Sequence, residues 1–378
     1  MYKKVILIQV DSIIGYPPTL SLIHEISKND CELTVITTCV NEHLRSLIPS
    51  NVKLVKVGED YTYKSNVLKK LINLLKLRKE LWKTIDELYD EDTILWVMSN
   101  ITVKHLGGRL VNYNYNLHLF ELVEKICYVN DKLELDLNLK KLAHCARNVI
   151  VCEYNRAQIT QAWLRLDKLP LIVSNKPMPN QFERNSVICH SNKAKDVMDR
   201  LKGRKIILYQ GVVDAERPIE PFAKAVEELG NEFAFVVMTG SNCSNLSKYN
   251  NTMVLPYIPA PYHLEVTSNA SIGLLMYTAV YGQFTSPLNS IYCAPNKIYE
   301  FSQFGIPMIG NNIPGLKYTI DFNNMGVCID AIDTENIKRA LENIASNYDK
   351  YATNAKAFYE SDNKEEVIKK ALIKTVEK

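Results

Sequence analysis

Residues 289–315, NSIYCAPNKIYEFSQFGIPMIGNNIPG, hold the densest cluster of side chains that could do chemistry. Pro295 is typical of a helix start, and Lys297 and Glu300 then lie one turn apart near the N-terminal end of that helix. Backbone N–H groups left free at a helix N-terminus attract phosphate. An ionised carboxylate in the same turn can accept hydrogen bonds from both hydroxyls of a ribose. The alternative for Glu300 is a solvated carboxylate that favours the helix dipole.

The elements that position this cluster follow a strand–helix alternation along the whole chain. Short β-branched or aromatic runs alternate with longer stretches of helical spacing, which predicts parallel sheets covered by helices. The pattern restarts near residue 200, after a polar segment at 175–202 that is typical of a linker. The predicted strands are 5–10, 33–37, 52–57, 93–98, 110–115 and 149–152, then 205–209, 233–238, 253–255, 272–276, 307–310 and 326–329.

Length and composition agree with two α/β domains. The chain has 378 residues, more than one ordinary domain, and its 47% hydrophobic and 23% charged residues are close to the globular average. We expect a Rossmann-like domain at 1–180, a second at 200–355, and a C-terminal helix at 356–378 that packs back on the first.

Charge and cysteine content exclude several classes of protein. Lys and Arg number 45 against 42 Asp and Glu, and a net charge of +3 predicts no nucleic-acid partner. No stretch of about 18 apolar residues occurs, and Gln9 and Asp11 interrupt the first apolar run as no signal peptide would. Nine cysteines without a CxxC pair suit reduced thiols better than disulfides or zinc. We expect a cytoplasmic protein.

Several stretches of the sequence resemble those of one enzyme family. PNKIYEF followed by GIPMI is similar to the signature of retaining GT-B glycosyltransferases of the GT4 type. KIILYQGVVDAERPIEPFAKAVEEL resembles the opening of that family's donor domain, and ASIGLLMY resembles the strand before the signature. VIVCEYNRAQITQAW with LPLIVSNKP resembles the crossover between the domains. The likeness is strong at 294–310 and only architectural before residue 145.

The resemblance implies a GT-B fold: two Rossmann-like, doubly wound domains facing a central cleft, the N-terminal one for the acceptor and the C-terminal one for a nucleotide-sugar donor. It implies that Glu300 binds the donor's ribose, and that Lys297 with the backbone at Pro295 and Asn296 faces the diphosphate. Gly211 would let the backbone approach the diphosphate, although it could also be a plain turn glycine.

The same resemblance places the remaining donor contacts. Arg217 stands where the family often has a basic residue for the leaving phosphates, and the main chain at Tyr257 and Ile258 would hold the base. A departing nucleoside diphosphate gains negative charge, which fixed cations such as Arg217 and Lys297 stabilise more than the ground state.

Three positions depart from the family pattern. The family's first glutamate, eight residues before the ribose glutamate, is replaced by Tyr292, which leaves open how the transferred sugar is held. The loop after residue 211 offers Arg217 but no lysine, so Lys297 would supply the second charge. A single glycine, Gly15, stands in the donor-binding place of a glycine-rich first loop.

His118 is the candidate catalytic residue of the first domain. It follows the fifth predicted strand and could hydrogen-bond the donor sugar or the acceptor, or else be a partly buried structural histidine. Glu134 and Asp136 lie in a helical, lysine-flanked run, which disfavours a metal-binding DxD motif. We therefore expect no bound metal and no cofactor beyond the nucleotide-sugar co-substrate.

A basic amphipathic segment at 61–83, YTYKSNVLKKLINLLKLRKELWK, has two interpretations. It could lie on an anionic membrane surface at the inner face of the cell membrane, as a peripheral contact. It could equally be a crossover helix packed on the sheet with a wet basic face.

Together with these residues, the resemblance implies a retaining, metal-independent glycosyltransferase. It would move a sugar from a nucleotide-sugar to a hydroxyl of a glycan or lipid-linked glycan, in bacterial surface polysaccharide or glycan assembly. Two alternatives stay open: a non-hydrolysing nucleotide-sugar epimerase, and a non-catalytic nucleotide-binding partner of another transferase.

Overall fold

The computed structural model describes residues 1–59, 67–126, 137–178, 182–279 and 286–374, with residues 67–70 described by their backbone alone. The chain divides into two compact units, Met1–Met178 with Asn363–Lys378, and Pro179–Asp362. Each unit is built on one parallel sheet. The predicted pair of doubly wound α/β domains is therefore confirmed.

The first unit has a seven-stranded sheet in the order β3-β2-β1-β4-β5-β6-β7. Its strands are β1 (Lys4–Gln9), β2 (Glu32–Thr37), β3 (Lys53–Lys56), β4 (Thr93–Met98), β5 (Tyr115–His118), β6 (Asn148–Val151) and β7 (Leu171–Ile172). Its helices up to residue 178 are α1 (Pro17–Ser27), α2 (Glu42–Leu47), α3 (Val67–Leu88), α4 (Ser99–Leu106), α5 (Leu139–Cys145) and α6 (Tyr154–Leu164).

The central strands of this sheet are buried on both faces. Ile6 and Ile8 of β1 enter one apolar cluster, while Val5 and Leu7 enter the cluster on the opposite face. Parallel strands need such cover on both sides because their crossover helices lie on both faces. Strand order reverses between β1 and β4, and ligands of doubly wound sheets bind at the carboxyl ends of the strands beside such a reversal.

The second unit repeats this plan with six parallel strands in the order β10-β9-β8-β11-β12-β13. The strands are β8 (Lys205–Gln210), β9 (Phe233–Thr239), β10 (Thr252–Pro256), β11 (Ile272–Leu275), β12 (Met308–Asn311) and β13 (Gly326–Ile329). The helices are α7 (Asn192–Arg200), α8 (Glu220–Leu229), α9 (His263–Thr267), α10 (Leu288–Ile291), α11 (Asn296–Ser302), α12 (Pro314–Ile320), α13 (Thr334–Ser346) and α14 (Tyr348–Glu360). The reversal here lies between β8 and β11.

The last helix, α15 (Lys364–Ala371), belongs to the first unit and packs on α1 and β7. Lys364 is buried, and its Nζ donates to Ser21 Oγ at 2.6 Å and to the carbonyl oxygen of Lys176 at 2.8 Å. The Tyr2 amide donates to the carbonyl oxygen of Leu372 at 2.9 Å. Residues from both ends of the described chain therefore build the first unit.

Two local predictions were wrong. The strand predicted at 110–115 begins only at Tyr115. Helix α4 ends at Leu106, and Gly107, with φ +69°, starts a 3₁₀ helix that continues to Asn112. The predicted linker at 175–202 contains α7, whose apolar Val197 and Met198 are buried in the second unit. Polar composition concealed this helix because its apolar face is narrow.

Candidate functional site

The second unit gathers its chemically useful side chains where β8 and β11 end, beside the reversal of strand order. Gln210 is the last residue of β8 and Gly211 follows it, while Lys297 and Glu300 lie on α11. The helix begins at Asn296, and Pro295 precedes it in an extended conformation, as the sequence predicts. The topology thus brings three separate stretches of sequence together.

Lys297 lies directly over Gly211. Gly211 has φ +129°, a value that side chains rarely adopt, and a Cβ added there would stand 2.9 Å from both Cε and Nζ of Lys297. Its own N–H is already bonded to the carbonyl oxygen of Met238 at 3.0 Å. The role of Gly211 in this geometry is therefore to leave room for the lysine.

Glu300 is a buried carboxylate, only 5% exposed, with two side-chain partners. Its Oε2 accepts from Gln210 Nε2 at 2.5 Å, and its Oε1 lies 3.4 Å from His263 Nε2. Burial alone would raise the pKa of the Glu300 carboxyl, but the charges of His263 and Lys297 and the two hydrogen bonds outweigh it and lower that pKa. Glu300 is thus held ionised.

Gln210 and His263 are site residues that the sequence analysis missed. Thr267 Oγ1 donates to Gln210 Oε1 at 2.7 Å, which turns the Gln210 amide nitrogen towards Glu300. His263 starts α9, a helix distant in sequence from α11. The one available signal was the position of Gln210, a polar residue ending a buried strand next to Gly211.

Lys297 is the companion cation of Glu300. Burial lowers the pKa of its ammonium, Glu300 opposes that effect, and the charge of Arg217 adds to it. The positive charge of such a group is not fully balanced by its neighbours, so an anion that binds beside it is attracted strongly.

Arg217 lies in the loop after β8 with partners on two sides. Its Nη1 is 2.6 Å from Asp214 Oδ2 and 3.7 Å from Glu216 Oε2, and its guanidinium carbon is 5.1 Å from the ring centroid of Tyr277. Asp214 therefore balances much of the Arg217 charge in this state.

Tyr257 and Ile258 directly follow β10, two strands from β8 on the same carboxyl edge. The Tyr257 side chain is exposed and that of Ile258 is buried. They therefore form a part of this edge next to β10, away from the strand reversal between β8 and β11.

No protein-family model matches the sequence, and no curated protein matches it. Solved structures do match. Anabaena Alr3699/HepE in complex with UDP and glucose has a TM-score of 0.66 at 13% identity over 98% of each chain. A variant of Os79 from O. sativa in complex with UDP has a TM-score of 0.60 at 14% identity, over 97% of this chain and 99% of that one.

WaaG, a glycosyltransferase involved in lipopolysaccharide biosynthesis, has a TM-score of 0.57 at 10% identity, over 97% of this chain and 98% of that one. The fold is GT-B. At such identities the likeness concerns the fold, so the chemistry has to be argued from this chain's own residues.

The first unit of this GT-B fold holds the other two predicted site residues. Gly15 lies in a 3₁₀ turn after β1, is exposed, and would meet no atom within 4 Å if it carried a Cβ. Unlike Gly211, it has a backbone conformation open to other residues. Nothing in its surroundings requires a glycine.

His118 ends β5 and is buried, with 2% of its surface exposed. Trp96 Nε1 donates to its Nδ1 at 3.3 Å, and its ring centroid is 5.0 Å from that of Phe120. Burial and the nearby charge of Lys364 lower the pKa of His118 to about 3. His118 is therefore neutral at physiological pH, and its contacts are those of a core residue.

The basic segment at 61–83 is described in part: residues 61–66 and the side chains of 67–70 lie outside the described residues. Within α3, Leu74, Leu77 and Leu81 are buried, whereas Ile72 is 57% and Leu75 52% exposed. Exposed Lys76, Lys79 and Lys83 continue the stripe of Ile72 and Leu75 at helical spacing. Within the described residues no helix is long and apolar enough to cross a membrane.

Proposed function

We propose that this protein is a glycosyltransferase that moves a sugar from a nucleotide-sugar donor to an acceptor hydroxyl. The observation that carries the proposal is the ionised Glu300 fixed beside Lys297, over Gly211, at the strand reversal of the second sheet. This pair offers an acceptor for ribose hydroxyls next to a cation for a diphosphate.

Each residue of the site has a defined task in this reaction. Glu300 accepts hydrogen bonds from the ribose, and the backbone at Pro295 and Asn296 faces the diphosphate with Lys297. Arg217 exchanges part of its contact with Asp214 for the phosphate oxygens. The main chain at Tyr257 and Ile258, on the same carboxyl edge, receives the base.

The proposed reaction retains the configuration of the transferred sugar and uses no metal. As the sugar leaves, charge grows on the diphosphate, and Lys297 and Arg217 stabilise it where a divalent cation would otherwise act. The departing phosphate oxygen takes the acceptor's proton on the face that it leaves, so no side-chain base is required. These tasks explain why a first-unit base such as His118 is dispensable to the proposal.

We further propose a role in bacterial surface polysaccharide or glycan assembly, with a glycan or lipid-linked glycan as acceptor and a GT4-type mechanism. WaaG acts in lipopolysaccharide biosynthesis, which supports this choice by fold analogy. The exposed stripe on α3, with lysines beside Ile72 and Leu75, suits a peripheral contact with the anionic inner face of a cell membrane.

A thermal-shift screen tests the donor site. UDP, GDP, CDP and dTDP are added to the protein, and a nucleotide that binds only the folded state raises Tm. HepE and Os79 were solved with UDP, so UDP is the first candidate. Absence of any shift with all four nucleotides contradicts the proposal.

The variant Glu300→Gln sharpens this screen because it keeps the shape of the side chain and removes the charge. We expect the Kd of the best nucleotide to rise about 10- to 100-fold, since a hydrogen bond to a charged group is lost. Glu342→Gln, at an exposed glutamate of α13, is the matched control and should leave Kd unchanged. Epimerised donor formed without an acceptor would instead favour an epimerase.

A further inference from the structure

We propose that Glu216 holds hydroxyl groups of the transferred sugar, in place of the glutamate that Tyr292 replaces. The inference rests on the proposed function and adds to it the residue that recognises the sugar part of the donor. It starts from a contact between two distant stretches of sequence, the loop after β8 and helix α10.

The contact places a carboxylate close to position 292. Ser290 Oγ donates to Glu216 Oε2 at 3.3 Å, and Ser290 lies on α10, two residues before Tyr292. A glutamate provided from another loop thus stands near the place where the sequence offers a tyrosine. The Ser290 hydroxyl occupies one of the two carboxylate oxygens of Glu216.

The backbone of the loop is anchored at the end of β11, which makes the position of Glu216 definite. The carbonyl oxygen of Glu216 accepts from the Thr278 amide at 2.7 Å and from Thr278 Oγ1 at 3.1 Å. The Glu216 amide donates to Asp214 Oδ1 at 3.0 Å. A side chain on such a pinned backbone can select between ligands that differ by one hydroxyl.

Glu216 also has an oxygen to offer. Its side chain is 24% exposed, and its contacts with Ser290 and Arg217 both involve Oε2 rather than Oε1. Arg217 pairs with Asp214 at 2.6 Å and stays 3.7 Å from Glu216, so Glu216 is not needed to balance the arginine. Asp214 is therefore the partner of the Arg217 cation, and Glu216 is the hydrogen-bond acceptor for a ligand.

The neighbours of Glu216 identify the ligand group it would meet. Arg217, next to it in sequence, is near enough to Lys297 for its charge to act on that ammonium. Glu216 Oε2 is 3.7 Å from Arg217 Nη1, so the sugar attached to a diphosphate bound by Arg217 and Lys297 would lie beside Glu216 in this proposal. An ionised carboxylate accepts hydrogen bonds from neighbouring hydroxyl groups, and a hexose attached to the diphosphate presents such hydroxyls.

The test compares a nucleotide with and without its sugar, by calorimetry on the full chain. For the nucleotide that the screen identifies, UDP with UDP-glucose in the first instance, Kd is measured for the wild type, Glu216→Gln and Asp214→Asn. We expect Glu216→Gln to leave the UDP affinity unchanged and to weaken UDP-glucose about tenfold. Asp214→Asn, the comparison variant, should change both affinities, because Asp214 pairs with Arg217 and also accepts from the Glu216 amide.

Deoxy analogues of the sugar give a second, independent measurement. At least one of the 2-, 3- or 4-deoxyglucose analogues should bind the wild type about tenfold more weakly than UDP-glucose does. The same analogue and UDP-glucose should bind Glu216→Gln with equal affinity. Equal losses for UDP and UDP-glucose in Glu216→Gln, or no loss in either, would overturn the inference. If the wild type binds none of the four nucleotides, the proposed function fails as well, so the two failures are distinguishable.

Discussion

The two sheets of this protein share a plan around the point where strand order reverses, yet their carboxyl edges carry opposite chemistry. In the second unit the edge holds an ionised Glu300 against Lys297 and His263. In the first unit the corresponding edge holds a neutral His118 and a buried Asp11, whose carboxyl pKa is raised by burial. Glu300 is kept charged at one edge, whereas burial favours the neutral forms of His118 and Asp11 at the other.

The difference shows what topology decides and what it leaves to side chains. Parallel strands that reverse their order create a ligand-binding edge in both units. In the second unit, opposite charges and hydrogen bonds then keep Glu300 ionised, although burial alone favours neutral groups. We expect the second edge to suit an anionic ligand and the first a neutral one.

The largest expected effect comes from removing the central cation of the second edge. Lys297→Met keeps the length of the side chain but deletes the charge that would meet the diphosphate. Transfer activity, measured as kcat/KM with the identified donor, should fall about 100- to 1,000-fold. Lys317→Met on α12 is the control. Activity within twofold of the wild type would show that the charged edge is not the reactive one.

The two predicted donor-site glycines provide the next test. Gly211→Ala requires φ +129° and brings a Cβ to 2.9 Å from Lys297, so it should cost about 1–3 kcal/mol of stability and about 100-fold in activity. Gly15→Ala meets nothing within 4 Å and should leave the unfolding free energy within about 0.5 kcal/mol. Urea unfolding and the transfer assay measure both. A large activity loss in Gly15→Ala alone would reverse their roles.

A pH series tests the neutral character of the first edge. Because the folded pKa of His118 is about 3, the unfolded chain takes up a proton near pH 6.5 that the folded chain refuses. The contribution of neutral His118 to the free energy of unfolding is therefore fully present above pH 6.5. It is lost as pH falls towards 3, by no more than about 1.4 kcal/mol per pH unit. Between pH 6.5 and pH 4.5, the free energy of unfolding in urea should fall by about 2–3 kcal/mol less for His118→Gln than for the wild type. Parallel pH profiles for the two proteins would contradict a neutral His118.

The smallest effect concerns the exposed stripe of α3, which belongs to the first unit only. Replacing Ile72 and Leu75 by Ser should weaken binding to phosphatidylcholine vesicles containing phosphatidylglycerol by about tenfold. Val187→Ser, at an exposed apolar residue of the second unit, is the control. Equal sedimentation of all three proteins with the vesicles would favour a purely structural α3.

Local sequence signals predicted the framework and part of the site. The restart near residue 200, the strand leading to Gly211 and the placement of Lys297 and Glu300 on one short helix follow from patterns within about ten residues. The strand predicted at 110–115 was wrong because a glycine with positive φ altered the path of the chain before it.

The partners of the site residues were beyond reach of the sequence. Gln210 meets Glu300 across 90 positions, and Asp214 takes up Arg217 through a turn whose shape depends on anchoring to Thr278. Such contacts depend on which strands become neighbours, and one sequence does not specify them. Glu300 could be proposed as an acceptor from sequence, but not as an ionised one.

Helix α15 gives the molecule an order of assembly. Residues 179–362, which form the second unit, are synthesised before Lys364. Until that late segment is synthesised, the first unit lacks two contacts. These are the hydrogen bond from Lys364 to Ser21 and the one from the Tyr2 amide to the carbonyl oxygen of Leu372. The first unit therefore gains its full set of contacts only after α15, which packs on α1 and β7, has been synthesised.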